Sequence, residues 1–214
     1  MKKVLFAIFL VGILTNCSSS EKIEKFDYGS IENGVYSNTF FDFSIILPEN
    51  WVVQSREQID KIAEQGKDII VGEDENLKAI VKATEINTAN LLGVFQFELG
   101  SAVEYNPNIM IISENLKNMP GIKKGSDYLF QAKRLLQQSQ FKYDYISDEL
   151  LKETINGTDF YKMDTGINYM GMEIKQTYYS TVLKGFAINI IVSYINEEQR
   201  KVISKSLNSL VFEN

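Results

Sequence analysis

The last third of the chain is what most restricts its fold. Between Phe141 and Ile195, runs rich in Tyr, Phe, Ile, Val and Thr alternate with short turn-forming groups: Asn156-Gly157, Asp164-Thr165-Gly166 and Lys184-Gly185. Aromatic and β-branched side chains suit a pleated, half-buried surface, and Asn or Gly supplies the backbone freedom that a tight hairpin needs. The pattern predicts strands over 141–146, 153–155, 160–164, 172–183 and 186–195. Connections this short permit only antiparallel neighbours, which excludes an all-helical bundle and a doubly wound parallel sheet.

Helices fill the gaps. Ser55 is placed to cap a segment in which Ile59, Ile62, Ala63, Ile69 and Ile70 recur at helical spacing, and Gly72 ends it. Residues 73–84 read as a second helix, and 126–140 as a third with Leu129, Phe130, Ala132, Leu135 and Leu136 apolar. Asn196, with Gln199 three residues on, opens a last helix striped by Val202, Ile203, Ser206, Leu207 and Leu210. Further strands are expected over 36–47, stopped by Pro48, and over 91–99 and 108–113. The predicted class is α+β, a central antiparallel sheet flanked by helices in an α/β/α sandwich. With 44% hydrophobic residues, 13 Phe, 11 Tyr, only three Pro and no linker-like stretch, residues 34–214 are expected to form a single domain.

The N-terminus reads as a targeting segment. Met1-Lys2-Lys3 is followed by 11 mainly apolar residues from Val4 to Leu14, too few for a membrane span, which takes about 20. Leu14-Thr15-Asn16-Cys17 then resembles the lipobox of bacterial lipoproteins, with Asn16 standing where a smaller residue is usual. The expectation is that residues 1–16 are removed as a signal peptide and that Cys17, the only cysteine, carries palmitate-type acyl chains. Two or three chains hold a protein to a bilayer stably. Residues 17–33, opening Cys17-Ser18-Ser19-Ser20, are expected to be a flexible tether. In a two-membrane cell, the resemblance to sorted lipoproteins with Ser rather than Asp after the cysteine implies the outer membrane. Loss of Lys2 and Lys3 takes the formal charge from −6 to −8, which argues against a nucleic-acid partner.

Two segments carry a family resemblance. Tyr36 with Phe43-Ser44-Ile45-Ile46-Leu47-Pro48-Glu49-Asn50-Trp51 resembles the opening of PsbP-like domains, a superfamily first known from an extrinsic photosystem II subunit. Phe186-Ala187-Ile188-Asn189-Ile190, the helix after Asn196, and Ser206 to Phe212 are similar to its closing strand, helix and short strand. The resemblance implies a central antiparallel sheet between helices and a structural Trp51 packed on that sheet. It brings no catalytic residues, because the superfamily gathers accessory, assembly and binding proteins.

Chemistry is limited by inventory. The chain has no histidine, which removes His-based nucleophilic dyads, histidine general bases and His-ligated metals. Gly166 to Gly171 has phosphate-loop spacing but lacks the following Lys-Ser/Thr. Asp164-Thr165-Gly166 copies an aspartic-protease triplet without a second copy and reads as a hairpin turn. Lys123-Lys124-Gly125-Ser126 reads as a helix start capped by Ser126 rather than an anion site, and Glu73-Asp74-Glu75 as a charged first turn rather than a Ca2+ loop. No catalytic, metal or cofactor residue is assigned. Among the tyrosines at 143, 145, 161, 169, 178 and 179, alternation places Tyr143 and Tyr145 on one face; aromatic rows of this kind are usually core beneath a helix, and if the face is open Tyr143, Tyr145 and Tyr178 form the candidate binding face for a peptide, glycan or partner protein. The expected function is a non-catalytic, lipid-anchored cell-envelope binding or assembly protein. The alternative is a small hydrolase or transferase using carboxylates and Tyr, with Asp144 and Glu173 as a pair distant in sequence.

Overall fold

The computed structural model describes residues 26–85, 87–140 and 142–213; the expected signal peptide and Cys17 lie outside them. Twelve strands and four helices follow one another among these residues. Ser30–Glu32 (β1), Val35–Asn38 (β2), Phe43–Ile46 (β3) and Val211–Phe212 (β12) make a small sheet in the order β1-β2-β3-β12. A large sheet runs Val52–Val53 (β4), Thr88–Phe95 (β5), Asn108–Asn115 (β6), Phe186–Tyr194 (β11), Met172–Leu183 (β10), Thr158–Tyr169 (β9) and Tyr145–Ile146 (β7). Leu151–Ile155 (β8) also pairs with β9. Every strand pair is antiparallel.

The helices are Arg56–Val71 (α1), Glu75–Glu85 (α2), Gly125–Gln138 (α3) and Glu197–Leu207 (α4). Alternation along the strands splits the core into two layers. On one face of the large sheet Phe95 and Met110 meet Ile59 of α1, and Met163 meets Leu129 and Leu136 of α3. On the other face Ile109, Ile111, Ile188, Ile190 and Val192 meet Tyr36, Phe43 and Ile45 of the small sheet and Ile203 and Leu207 of α4. The expected α/β/α sandwich is therefore α+β with a second sheet beside α4 in its third layer. Trp51 packs half-buried against this same core.

Local chemistry explains the boundaries. Ser55 and Gln58 form a capping box at α1: Gln58 N donates to Ser55 Oγ at 3.3 Å and Ser55 N to Gln58 Oε1 at 2.8 Å. Asp74 caps α2, its Oδ1 accepting from Asn76 N and Leu77 N at 2.9 and 3.0 Å. At α3 the expected Ser126 cap gives way to Asp127, whose Oδ2 accepts from Lys123 N and Lys124 N at 3.0 and 3.1 Å. Gly125 is required there because a Cβ would collide with the Ser180 carbonyl oxygen of β10.

Three sequence expectations are corrected. Asp164-Thr165-Gly166 is the middle of β9, and the hairpin turns instead at Met170-Gly171, with φ of 53° and 83°. The strand expected over 141–146 shrinks to Tyr145–Ile146, the only part that pairs with β9. The domain also begins earlier than residue 34. Phe26 packs edge-on to Phe41 and tilted on Phe40 and Phe186, with ring centroids 5.5–6.2 Å apart. The Asp27 carboxylate accepts from Gly29 N at 2.7 Å, Thr39 N at 2.6 Å and Thr39 Oγ1 at 2.8 Å. A chain starting at residue 34 is therefore expected to be less stable by roughly 1–3 kcal/mol than one starting at residue 24, for the lost Phe26 burial alone. Urea denaturation of the two checks this, and equal midpoints would return residues 26–33 to the tether.

Candidate functional site

The large sheet extends past the elements that cover its inner face. α4 crosses β11, and beyond it the sides of β10, β9 and β7 stay open as a cleft of about 460 Å³. Register builds its floor. Lys162 lies beside Tyr179, Asp164 beside Thr177 and Gly166 beside Lys175 across β9 and β10, and Lys175 lies beside Tyr194 of β11. Period-two alternation turns all of these to one side. Tyr145 joins them from β7 opposite Gly166, and α4 adds Arg200 and Ser204.

The polar groups are fixed by one another. Asp164 Oδ1 accepts from Thr177 Oγ1 at 2.7 Å, while Asp164 N donates to Ser147 Oγ at 3.1 Å. Lys162, Lys175 and Arg200 reach rim carboxylates of Glu153, Glu173 and Glu197 at 3.4, 3.5 and 2.7 Å. These pairs are solvent-accessible, so each is worth little in stability and can exchange its partner for a ligand. Burial holds the Tyr145 and Tyr179 hydroxyls above the ordinary tyrosine range, and the nearby charge of Asp164 adds to the shift in both. Both stay protonated at neutral pH, so each hydroxyl keeps a proton to donate.

The three tyrosines expected to share a face are divided. Tyr143 and Tyr178 pack with Leu129, Leu136 and Met163 under α3, and Tyr178 Oη donates to Gln176 Oε1 at 3.2 Å. Tyr145 stands on the opposite side of the sheet in the cleft, 43% exposed. The reason is that Tyr143 precedes the strand, so strand alternation does not relate it to Tyr145. Tyr161 belongs with the α3 side, Tyr169 is exposed at the β9–β10 tip, and Tyr179 lines the cleft. Lys162, Lys175, Arg200 and Tyr194 were not singled out in the sequence. The alternation Lys175, Thr177, Tyr179 against Gln176, Tyr178 was available, but nothing local says which side α3 covers.

The carboxylate pair considered for catalysis does not sit in a pocket. Asp144 and Glu173 are both exposed, and the Asp144 carboxylate accepts from the backbone N of Asn168 at the sheet edge. The acid that burial does hold above the ordinary carboxylate range is Glu114, on the far side of the sheet. It is only 5% exposed, and its Oε2 accepts from Tyr128 Oη at 2.7 Å while Oε1 has no partner. A carboxyl whose pKa is raised on folding binds more protons folded than unfolded, so stability falls as pH climbs from the unfolded value, about 4.3, through the raised one. Glu114→Gln is accordingly expected to raise the melting temperature at pH 7 and to lose that advantage near pH 4. Melting curves at the two pH values check the sign, and a loss at pH 7 would show that the ionised carboxylate is stabilising.

No family model matches the chain, and no curated protein matches it. In fold it is similar to the solution structure of cyanobacterial PsbP (CyanoP) from Synechocystis sp. PCC 6803. That similarity has 12% identity and a TM-score of 0.46, over 86% of this chain and 98% of that one. It is also similar to LpqN of Mycobacterium tuberculosis, described as involved in cell envelope biogenesis. The identity there is 9% and the TM-score 0.34, over 57% of this chain and 75% of that one. No described helix is long and apolar enough to cross a membrane.

Proposed function

We propose that this protein is a non-catalytic, lipid-anchored accessory domain of the cell envelope that binds an envelope component in the cleft between α4 and strands β7, β9 and β10. The observation that carries the reading is the convergence there of Tyr145, Tyr179 and Tyr194 with Lys162, Lys175, Arg200 and Asp164. Donors, acceptors and ring faces gathered in one concave surface are the means of recognition. A nucleophile activated by a neighbouring base is the means of covalent catalysis; the hydroxyl–carboxylate pair of the cleft, Thr177 with Asp164, has its hydroxyl on a residue only 5% exposed. The anchor is Cys17, supported by the short apolar run before it and its lipobox-like context. Residues 17–25 then tether the folded domain close to the membrane, the outer one in a two-membrane cell.

Two measurements test this. Cys17→Ser is expected to release the protein from the membrane fraction, and mass spectrometry of the mature N-terminus is expected to find acyl chains on Cys17. Retention of the Ser variant, or an unmodified Cys17, contradicts the anchor. A photo-crosslinking side chain at Ser204, on the cleft wall, is expected to capture an envelope component in native membranes, whereas one at exposed Phe130 on α3 is not. Equal capture at the two positions contradicts the cleft.

A further inference from the structure

Resting on the cleft reading, and narrowing it to a ligand class, we propose that the cleft binds an uncharged saccharide, with a sugar ring stacked on Tyr145 and its hydroxyls held by Asp164, Lys162 and Lys175. The seat of the aromatic ring is the first argument. Tyr145 sits opposite Gly166, and a Cβ at Gly166 would overlap the Tyr145 ring. Gly166 has no positive φ, so no turn or backbone strain accounts for glycine at this position. The missing side chain lets the ring lie against the β9 backbone, and the ring remains 43% exposed on a cleft wall. An aromatic ring held against backbone is a rigid platform, its polar edge wet and its face available.

Charge balance supplies the second argument. Lys162, Lys175 and Arg200 are matched by Glu153, Glu173 and Glu197, and Asp164 is held by an uncharged hydroxyl, Thr177. An anionic ligand would gain one of these cations only by leaving its rim carboxylate without a partner. A sugar hydroxyl donates and accepts at once, so it can bridge Asp164 to a lysine without displacing any of these pairs. Each such charge-assisted hydrogen bond is stronger than a neutral one. Hydrophobic peptide side chains find less to bury, because the lining is mainly polar apart from the rings and the Val192, Ile203 and Leu207 side.

The test uses the full-length protein in detergent, titrated by calorimetry with neutral oligosaccharides (maltotetraose, cellotetraose and N-acetylated chitotetraose), an anionic oligogalacturonate and an unrelated tetrapeptide. At least one neutral oligosaccharide is expected to bind saturably. Tyr145→Ala is expected to weaken it about ten-fold or more, Tyr145→Phe to keep most of the affinity, and Asp164→Asn to weaken it. Tyr145 lies on a two-residue edge strand and is partly exposed, so its replacement leaves the fold intact, which an unchanged melting temperature verifies. Binding of only the charged oligosaccharide or the peptide, binding unaffected by Tyr145→Ala, or no binding of any neutral oligosaccharide overturns the saccharide assignment. If in those cases the Ser204 crosslinker still captures a peptide or protein specifically, the cleft stands as a binding site of another class. If it captures nothing, both readings fall.

Discussion

Strand β11 is the member on which the other elements depend. It lies between β6 and β10 in the large sheet, and its two faces are buried against different layers. Ile188, Ile190 and Val192 face the small sheet and α4, while Ala187, Asn189 and Ser193 face the α3 side. Burying an Ile or Val side chain contributes about 1.5–3 kcal/mol, so three of them on one face outweigh any surface ion pair in the molecule. Because both faces are buried, a slip of one residue in register would send apolar side chains into polar surroundings on each side. β11 therefore fixes β10 through the Lys184-Gly185 hairpin, β10 fixes β9 through Met170-Gly171, and β9 fixes β7 and β8.

Cover thins along that series. α3 continues over β10 and β9 on one face, but on the other α4 stops at β11. The residues left beyond α4 are Lys, Thr, Tyr and Asp, whose side chains tolerate water, and their positions are inherited from a register set in the core. A polar cleft on a rigid floor follows without any loop having to form it. The same logic explains why the polar cluster on the opposite face behaves differently. Under α3, Glu114, Asn189 and Ser180 are shut away with side-chain atoms that lack partners, and they act as a cost to stability rather than as a surface for recognition.

Much of the architecture was legible from pattern. α1 with its capping box, α4 with its Asn196 cap, β10 and β11 follow from periodicity and cap chemistry, both local. Asp164-Thr165-Gly166 was misread for a physical reason. Asp and Gly are turn formers by propensity, but here Thr177 satisfies the Asp and the Tyr145 ring occupies the space a Gly side chain would have filled, so a tertiary context overrides the local signal. The start of the domain was missed because Phe26 and Asp27 are stabilised by residues 12 to 160 positions away, among them Thr39 and Phe186. The site was half visible. Strand alternation distinguishes Tyr178 from Tyr179, but which of the two is covered depends on where α3 crosses, and no short segment records that.

The central claim is that the sheet has one tyrosine-bearing face closed by α3 and one left open beside α4. Limited nitration of the native protein with tetranitromethane, read by peptide mass spectrometry, tests it most directly. Tyr145 is expected to be modified while Tyr143 and Tyr178 stay unmodified until the protein is denatured. Modification of Tyr143 and Tyr178 in the native state at a rate equal to that of Tyr145 would place the open face on the α3 side and contradict the account.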